Sequence, residues 1–402
     1  MTAQVPRLLV VDDNEDNRYT LTQRLKRQGY TDVVTAVNGR EALEVLESGG
    51  FDLVLLDVMM PELTGYEVLE RLNAHPKLRD LPVIMISAND ELESVVRCIK
   101  LGAEDYLSKP FNPVLLNARV GATLEKKRLR DETAAHLARV QAELESARQI
   151  QLGMVPIDFP AAGAIVEVYA KLEPAREVGG DLYDFFYLDS DTLCFVIADV
   201  ADKGAPAALF MAHTNSMIRV VCALLGTPGG EHARPADVLA RVNRELCRAN
   251  RSCMFVTLFL AVFDVPKATL TFCNAGHPKP YVVNAKGVRQ LAAVPCLPIG
   301  LEPDYEYEEG TCKLDHGDCL FLFTDGVTEA MDPQRDFFTD ERLRDALQPL
   351  CGLPPQALVE GVLEKVEAFV AGGPQADDIA AMAVRFRERR TTPRGPRPDA
   401  AA

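Results

Sequence analysis

Acidic residues follow two short apolar runs near the start of the chain. Asp12 and Asp13 come directly after Leu8–Val11, and Asp57 comes directly after Leu53–Leu56. Carboxylates that meet at one edge of a sheet repel one another unless a hard cation such as Mg²⁺ neutralises them. Once that charge is neutralised, a carboxylate oxygen can attack an incoming phosphoryl group. The spacing therefore predicts a magnesium site at which a carboxylate accepts a phosphoryl group.

A hydroxyl and an ammonium group accompany these acids. Ser87 ends the fourth apolar run, and Lys109 follows the fifth. The ammonium supplies a compact positive charge, and the hydroxyl can donate a hydrogen bond to a phosphoryl oxygen. An isolated pair of aspartates is usually a solvated strand end. Five matching elements at successive strand ends are hard to explain in that way.

Five short apolar runs alternate with amphipathic stretches of helical periodicity between residues 7 and 124. This alternation predicts a doubly wound α/β domain with a five-stranded parallel sheet covered on both faces. In such a domain the chemistry collects at the carboxyl ends of the strands. The predicted strands are Leu8–Val11, Val33–Ala36, Leu53–Leu56, Val83–Ile86 and Tyr106–Leu107.

Four blocks in this region resemble the receiver domains of two-component systems: Val10–Asn14, Leu56–Pro61, Ser87-Ala88 and Lys109-Pro110. The resemblance covers about residues 7–124 and implies phosphorylation by a sensor histidine kinase. It implies that Asp57 is the phospho-acceptor.

The same resemblance assigns roles to the other site residues. It implies that Asp13, Asp57 and the Met59 carbonyl bind Mg²⁺, with Asp12 acting through water. Lys109 would pair with the phosphoryl group, and its bond to Pro110 would be cis. Ser87 and Tyr106 would form the conformational switch.

A stretch without proline follows, at residues 125–152, and it predicts a helical connector. The apolar residues Leu137, Val140, Leu144 and Ala147 recur at steps of three and four, after Leu129. This narrow stripe favours a coiled-coil seam and therefore a homodimer. The pattern lasts under three heptads, so a monomeric surface helix remains an alternative.

The second half, residues 153–386, has a different pattern of predicted strands and helices. Strand-like runs at Leu193–Ala198, Phe255–Val262, Leu320–Phe323 and Ile379–Val384 are separated by long helical stretches. The elements do not alternate regularly, so the pattern favours a layered, antiparallel α+β domain over a second doubly wound sheet. The tail at 387–402 is rich in Arg and Pro and is predicted to be disordered.

Four acidic motifs in this half suit phosphoryl chemistry. Acids without His or Cys partners suit Mg²⁺ or Mn²⁺ better than zinc. Two such ions can share a hydroxide that attacks a phosphate ester. No Cys is followed six residues later by Arg, so a cysteine-nucleophile phosphatase has no candidate. The motifs are Gly179-Gly180-Asp181, Ala198-Asp199-Val200, Thr324-Asp325-Gly326 and Asp377-Asp378.

In order and context, these motifs resemble the bacterial PPM phosphatases of the sporulation and stress-regulator branch, over about residues 143–385. The resemblance implies an αββα fold with two Mn²⁺ or Mg²⁺ ions. Asp199 would bridge both metals and the Val200 carbonyl would bind one of them. Asp325 and Asp377 would complete the other.

The resemblance also makes Asp181 and Asp378 residues that orient metal-bound waters, and Asp181 is included with the catalytic acids. His277 is left out of the catalytic set, because a lone His in a strand-turn is more often structural. Some positions depart from the family pattern. Ala198, Ala201 and Asp202 stand where the family often has Gly, Ser and Gly, and Ala380 replaces a common Thr.

Composition excludes several other classes. The net charge of −16 argues against a nucleic-acid surface, which needs clustered Lys and Arg. The ten cysteines include no C-x-x-C pair, so zinc spacing is absent. We expect no membrane span, because the longest strongly apolar stretch, Met254–Phe263, is about half the length required. We therefore expect a cytoplasmic protein with reduced thiols.

The leading hypothesis is a response regulator whose Asp57 phosphorylation controls a protein serine/threonine phosphatase. Family resemblance suggests that the substrate is a phosphorylated STAS-type anti-sigma-factor antagonist in a partner-switching pathway. The alternative is a non-catalytic receiver–PPM adaptor that acts by binding. That alternative predicts missing metal ligands, whereas Asp199, Asp325 and Asp377 are all present.

Overall fold

The structure is a computed structural model that describes residues 5–88, 92–160, 164–225 and 233–387. The chain divides into two compact units, Met1–Val140 and Gln141–Ala402. Residues 388–402 of the predicted disordered tail lie outside the described residues.

The first unit is the predicted doubly wound domain, with strand order β2-β1-β3-β4-β5 and every pair parallel. Each of the five predicted strands is confirmed to within one residue at either end. The strands are β1 (Arg7–Val11), β2 (Asp32–Ala36), β3 (Leu53–Asp57), β4 (Val83–Ser87) and β5 (Asp105–Ser108); the helices are α1 (Glu15–Arg27), α2 (Gly39–Glu47), α3 (Gly65–Ala74) and α4 (Leu92–Lys100).

In each central strand, successive side chains point to opposite faces of the sheet and are buried in two different hydrophobic cores. The strands are continuously apolar because both faces of the sheet are covered. Leu9 and Val11 pack on the α2–α3 side, whereas Leu8 and Val10 pack against Leu21 and Leu25 of α1. Side-chain hydrogen bonds cap the N-termini of α1 and α3, the helices that follow β1 and β3. The Asn14 side chain accepts the first-turn N–H groups of α1, and Thr64 forms a capping box with Glu67 on α3.

A single helix, α5 (Pro113–Leu152), covers the predicted connector. The Asn112 side chain accepts the N–H of Val114 at 2.9 Å, which caps the helix start. The stripe residues Leu129 and Leu137 are exposed by 51% and 57%. This exposure leaves a surface for a partner helix, and the coiled-coil seam stays a prediction.

The second unit contains eleven strands and five α-helices among its described residues after α5. They are β6 (Val166–Glu173), β7 (Leu182–Tyr187), β8 (Thr192–Val200), α6 (Ala205–Leu225), α7 (Pro235–Ala249), β9 (Val256–Asp264), β10 (Thr269–Ala275), β11 (Tyr281–Asn284), β12 (Gly287–Gln290), β13 (Pro295–Cys296), β14 (Gly310–Lys313), β15 (Cys319–Phe323), α8 (Asp325–Thr328), α9 (Thr339–Leu347), α10 (Pro355–Val370) and β16 (Ile379–Phe386).

Two mainly antiparallel sheets form the centre of this unit. One has the order β13-β10-β9-β8-β7 with β14 beside β10, and the other has the order β12-β11-β15-β16-β6. Side chains such as Phe195, Phe259 and Met382 fill the layer between the sheets. Helices α6 and α7 cover the outer face of the first sheet, and α9 and α10 cover the second. The predicted αββα layering is therefore confirmed.

Of the helices in the described ranges, α6 is the one long and apolar enough to cross a membrane by length and composition. Its residues Ala207, Met211 and Ile218 are completely buried in the core beside β8 and β9. A core helix passes the same test, so this is weak evidence for a membrane span.

Gly121 lies inside α5, where a glycine costs helix stability. A Cβ there would meet only the Tyr30 hydroxyl, at 3.9 Å. Gly121→Ala is expected to raise the free energy of unfolding of the receiver unit by about 0.5–1 kcal/mol. Urea unfolding followed by circular dichroism measures it. The contrasting variant is Gly29→Ala, whose φ of +98° disfavours a Cβ, so it should destabilise. A loss of stability in Gly121→Ala contradicts the helix assignment.

Candidate functional site

Three acids converge at the carboxyl ends of β1 and β3. Ligand oxygens of Asp12, Asp13 and Asp57 all lie within 4.8 Å of one another. Asp12 and Asp57 are buried, and Asp13 is exposed. Within the described ranges, this is the one group of three such side chains that converges so closely. The donor set fits a hard divalent cation such as Mg²⁺.

Lys109 supplies the positive charge opposite these acids. Its Nζ lies 2.8 Å from Asp12 Oδ2 and 3.0 Å from Asp57 Oδ1. Its backbone N–H donates to the Ser87 carbonyl at 2.8 Å, which ties the end of β5 to the end of β4. The bond from Lys109 to Pro110 is cis, as the resemblance implies.

The pKa of Asp57 is raised to about 6. Burial is the largest cause; Lys109 lowers the pKa, and the charges of Asp12 and Asp13 raise it. The causes that raise this pKa outweigh the effect of Lys109, so the charged form of Asp57 is not fully stabilised by the residues around it. A bound cation would provide the missing positive charge.

The switch residues lie on the neighbouring strands. Ser87 and Tyr106 are both buried, on β4 and β5, and Met59 follows β3 and is 70% exposed.

The sequence did not predict one further contact at this site. Asn17 Nδ2 donates to Asp12 Oδ1 at 3.1 Å from the first turn of α1. The only signal for it was its position one helical turn after the Asp12-Asp13 pair.

The second acidic site lies where strands of both sheets of the second unit end. Residues Leu193, Phe195 and Ile197 of β8 face the layer between the sheets, and Asp199 continues that alternation. Asp181 directly precedes β7, which pairs with β8 through Leu182 and Ala198. Strand pairing therefore brings Asp181 and Asp199 together, although 18 positions separate them in the sequence.

Thr324 joins the two sheets at this site, and sequence reasoning did not assign it a role. Its Oγ1 donates to Asp181 Oδ2 at 2.6 Å and accepts the Ala380 N–H at 2.9 Å. The neighbouring Asp325 begins the short helix α8 and is partly buried. A hydroxyl before the Asp-Gly pair was the available signal.

Asp378 fixes the glycine-rich loop before β7. Its carboxylate oxygens accept the N–H groups of Ala175 and Gly180, both at 2.7 Å. A Cβ on Gly179 would lie 2.2 Å from Asp378 Oδ2, and one on Gly326 would lie 1.9 Å from the Asp378 carbonyl oxygen. These glycines are required because no side chain fits between the strand ends.

Asp377 contacts a cation from another loop. Its Oδ2 lies 2.8 Å from Lys203 Nζ, and its Oδ1 accepts the Asp378 N–H at 2.9 Å. A cavity of about 540 Å³ opens beside it. The cavity is lined by acidic residues such as Glu360, together with Lys171 and Gly326.

Burial, together with neighbouring acids, raises the pKa values of Asp199, Asp181 and Asp325. Burial, followed by the charge of Asp325, raises the pKa of Asp199 to about 7, while a hydrogen bond from Asp181 lowers it. Burial, followed by Asp199, raises the pKa of Asp181 well above its ordinary range. The pKa of Asp325 is also raised, first by burial and then by Glu329.

This donor set fits Mg²⁺ or Mn²⁺, because it is made of oxygens and carries excess negative charge. The residues available to hold the ions are Asp199, Asp325 and Asp377, with the Val200 carbonyl next to Asp199.

Gln151, at the end of α5, binds the same glycine loop. Its buried amide donates to the Gly179 carbonyl at 2.5 Å and accepts the Gly179 N–H at 3.1 Å.

His277 has the environment of a structural residue. It is buried, its Nδ1 lies 3.0 Å from Thr257 Oγ1, and burial lowers its pKa to about 3. It is therefore neutral at physiological pH.

The fold and the two acidic sites together define a response regulator with a phosphatase-type output domain. The family model of the response regulator receiver domain matches residues 8–121, and that of stage II sporulation protein E (SpoIIE) matches residues 189–387. The chain belongs to the response regulators that combine an N-terminal receiver domain with a C-terminal SpoIIE/PP2C-type phosphatase domain.

Individual relatives match parts of the chain. Protein IcfG of Synechocystis sp. is 32% identical over 270 residues, which are 60% of this chain and 41% of that protein. Phosphoserine phosphatase RsbU of Bacillus subtilis is 32% identical over 191 residues, which are 47% of this chain and 54% of that protein. The chain thus spans about half the length of these curated relatives.

A solved structure has a similar fold. The SiaA-PP2C domain of Pseudomonas aeruginosa aligns with a TM-score of 0.56 at 23% identity, over 63% of this chain and 99% of that chain. The alignment supports the layered fold of the second unit.

Metal binding at the second site should depend on pH. Below about pH 7, Asp199 is protonated in the metal-free protein, so a divalent ion must displace a proton. Mn²⁺ affinity is therefore expected to fall by about tenfold per pH unit below pH 7. Calorimetry on an Asp13→Asn background, which weakens the receiver site, measures this affinity. An affinity that is constant from pH 5 to 7 contradicts the assignment of Asp199 as a ligand.

Proposed function

We propose that this protein is a response regulator in which phosphorylation of Asp57 controls a metal-dependent protein serine/threonine phosphatase. The observation that supports the proposal best is the acid cluster of Asp199, Asp325 and Asp377. The raised pKa values of Asp199 and Asp325 mark a site that lacks positive charge, which two Mn²⁺ or Mg²⁺ ions would supply.

The residues of the chain have distinct roles in this proposal. Asp199, Asp325 and Asp377 bind the ions, with the Val200 carbonyl as a further ligand. When bound, two such ions would supply an activated water for in-line attack on a phosphate ester. Asp181, held by Thr324, keeps Asp199 in place and can exchange a proton with it. Asp378 holds the glycine loop through the N–H groups of Ala175 and Gly180, and it would orient water at the metal site.

Removing a ligand should abolish turnover without unfolding the domain. Asp199→Asn and Asp325→Asn are each expected to lower the hydrolysis rate of a phosphoserine peptide by at least about 10²-fold, because the activated water is lost. A matched control is Asp304→Asn, a largely exposed acid that pairs with Arg244. Steady-state kinetics in Mn²⁺ measure the rates. Undiminished activity in both variants would contradict the assignment of these acids as metal ligands.

In the receiver, Asp57 is the proposed phospho-acceptor. Asp12, Asp13, Asp57 and the Met59 carbonyl bind Mg²⁺, and Lys109 pairs with the phosphoryl group. Ser87 and Tyr106 form the switch that responds to the new charge. A sensor histidine kinase is the proposed phosphoryl source.

Occupancy of Asp57 should change the phosphatase rate. A beryllofluoride mimic with Mg²⁺ is expected to raise turnover, because the added charge at Asp57 moves Ser87 and lets Tyr106 follow. Rates with and without the mimic test this, and Asp57→Asn should not respond. Equal rates with proven occupancy of Asp57 would mean that the two domains are not coupled in this way.

The name of one relative supports the proposed class of substrate. RsbU is named a phosphoserine phosphatase, which supports a phosphoserine substrate. We propose a phosphorylated STAS-type anti-sigma-factor antagonist in a partner-switching pathway. The proposed domain boundaries are 7–124, 125–152 and 153–386, with a homodimer formed through the connector. We further propose a cytoplasmic protein without nucleic-acid or membrane partners, which the net charge of −16 supports for nucleic acid.

A further inference from the structure

A lysine side chain touches one of the candidate metal ligands of the second unit. Lys203 Nζ lies 2.8 Å from Asp377 Oδ2 and donates to the Ala376 carbonyl at 2.8 Å. The two side chains are 40% and 33% exposed, so solvent and ions reach the pair. The ammonium therefore lies on a carboxylate oxygen that a divalent cation would need.

Both carboxylate oxygens of Asp377 already have a partner. Its other oxygen, Oδ1, accepts the Asp378 N–H at 2.9 Å. Asp378 in turn holds Ala175 and Gly180 through its own carboxylate, so the backbone here has little freedom to move. A metal ion can gain Asp377 Oδ2 most directly by replacing the ammonium.

The charge of Lys203 also acts on a second ligand. Lys203 lowers the pKa of Asp325, although burial and neighbouring acids raise it overall. One ammonium thus lies within electrostatic range of both Asp325 and Asp377. These are the two carboxylates proposed to complete the same metal position.

The loop that carries Lys203 has a constrained backbone. Asp202 has a φ of +138°, which L side chains rarely adopt, and Gly204 has a φ of +77°. Asp202 Oδ1 accepts the Lys203 N–H at 2.8 Å, and the Ala201 N–H donates to the Phe255 carbonyl at 2.9 Å. This loop lies between Val200, a proposed metal ligand, and α6.

We infer that Lys203 is an intramolecular counter-cation at this metal position, and that a divalent ion must displace it from Asp377 to bind. The inference rests on the proposed function, since it assumes that Asp325 and Asp377 bind a metal. It assigns Lys203 a role in setting metal affinity. Removing a competing positive charge should strengthen cation binding, because the freed carboxylate no longer gives up an ion pair.

Calorimetric titration with Mn²⁺ tests the inference on the full chain with Asp13→Asn. Lys203→Met is expected to tighten one Mn²⁺ site by roughly two- to fivefold, the range set by a part-exposed ion pair. Lys203→Arg keeps the charge and should retain the original affinity. Lys171→Met is the matched control, because Lys171 pairs with Glu173 at 2.6 Å and makes no ion pair with Asp377. Lys203→Gln gives a second neutral variant, and circular dichroism checks folding.

Each outcome has a defined meaning. Tighter binding in both neutral variants, with unchanged affinity in Lys203→Arg and Lys171→Met, supports the inference. Unchanged affinity in the neutral variants overturns it and leaves the proposed phosphatase site intact. Weaker binding also overturns it, because Lys203 would then position Asp377 for the metal. Absence of Mn²⁺ binding in the Asp13→Asn parent would overturn both the inference and the proposed function.

Discussion

Repulsion between carboxylates held at strand ends is the constraint on which both sites of this protein depend. Burial raises the pKa of Asp57 to about 6 and that of Asp199 to about 7, and like-charged neighbours add to each shift. A folded chain tolerates such crowding only where positive charge, shared protons or bound cations compensate. In the receiver Lys109 partly compensates, and in the second unit Lys203 and the hydrogen bond between Asp181 and Asp199 do so.

The backbone is adapted to the same constraint. Gly179 and Gly326 allow strand ends of both sheets to approach Asp378 more closely than any side chain would permit. Thr324 binds Asp181 on one sheet and Ala380 on the other. The acids are therefore held by hydrogen bonds from a rigid frame, which keeps them close in spite of their charge.

Residues of the two candidate sites lie near the two ends of the connector helix. It begins after Asn112, close in sequence to Lys109 and the cis peptide bond, and it ends at Gln151. The Gln151 amide binds both backbone groups of Gly179, directly before Gly180 and Asp181. The buried Gln151 side chain thus links the end of the helix to the glycine loop that Asp378 also holds.

The sequence by itself determined the receiver almost completely. Its strands are continuous apolar runs, and Asp12, Asp13, Asp57 and Lys109 stand directly at strand ends, so local pattern and the rules of parallel sheets place them. It also identified the acids of the second unit through short motifs. Only the tertiary structure decided what holds those acids. The contacts of Thr324, Gln151 and Lys203 join positions up to 174 residues apart (Lys203 with Asp377), and such pairs follow from strand pairing and loop geometry, which have no local signature in the sequence.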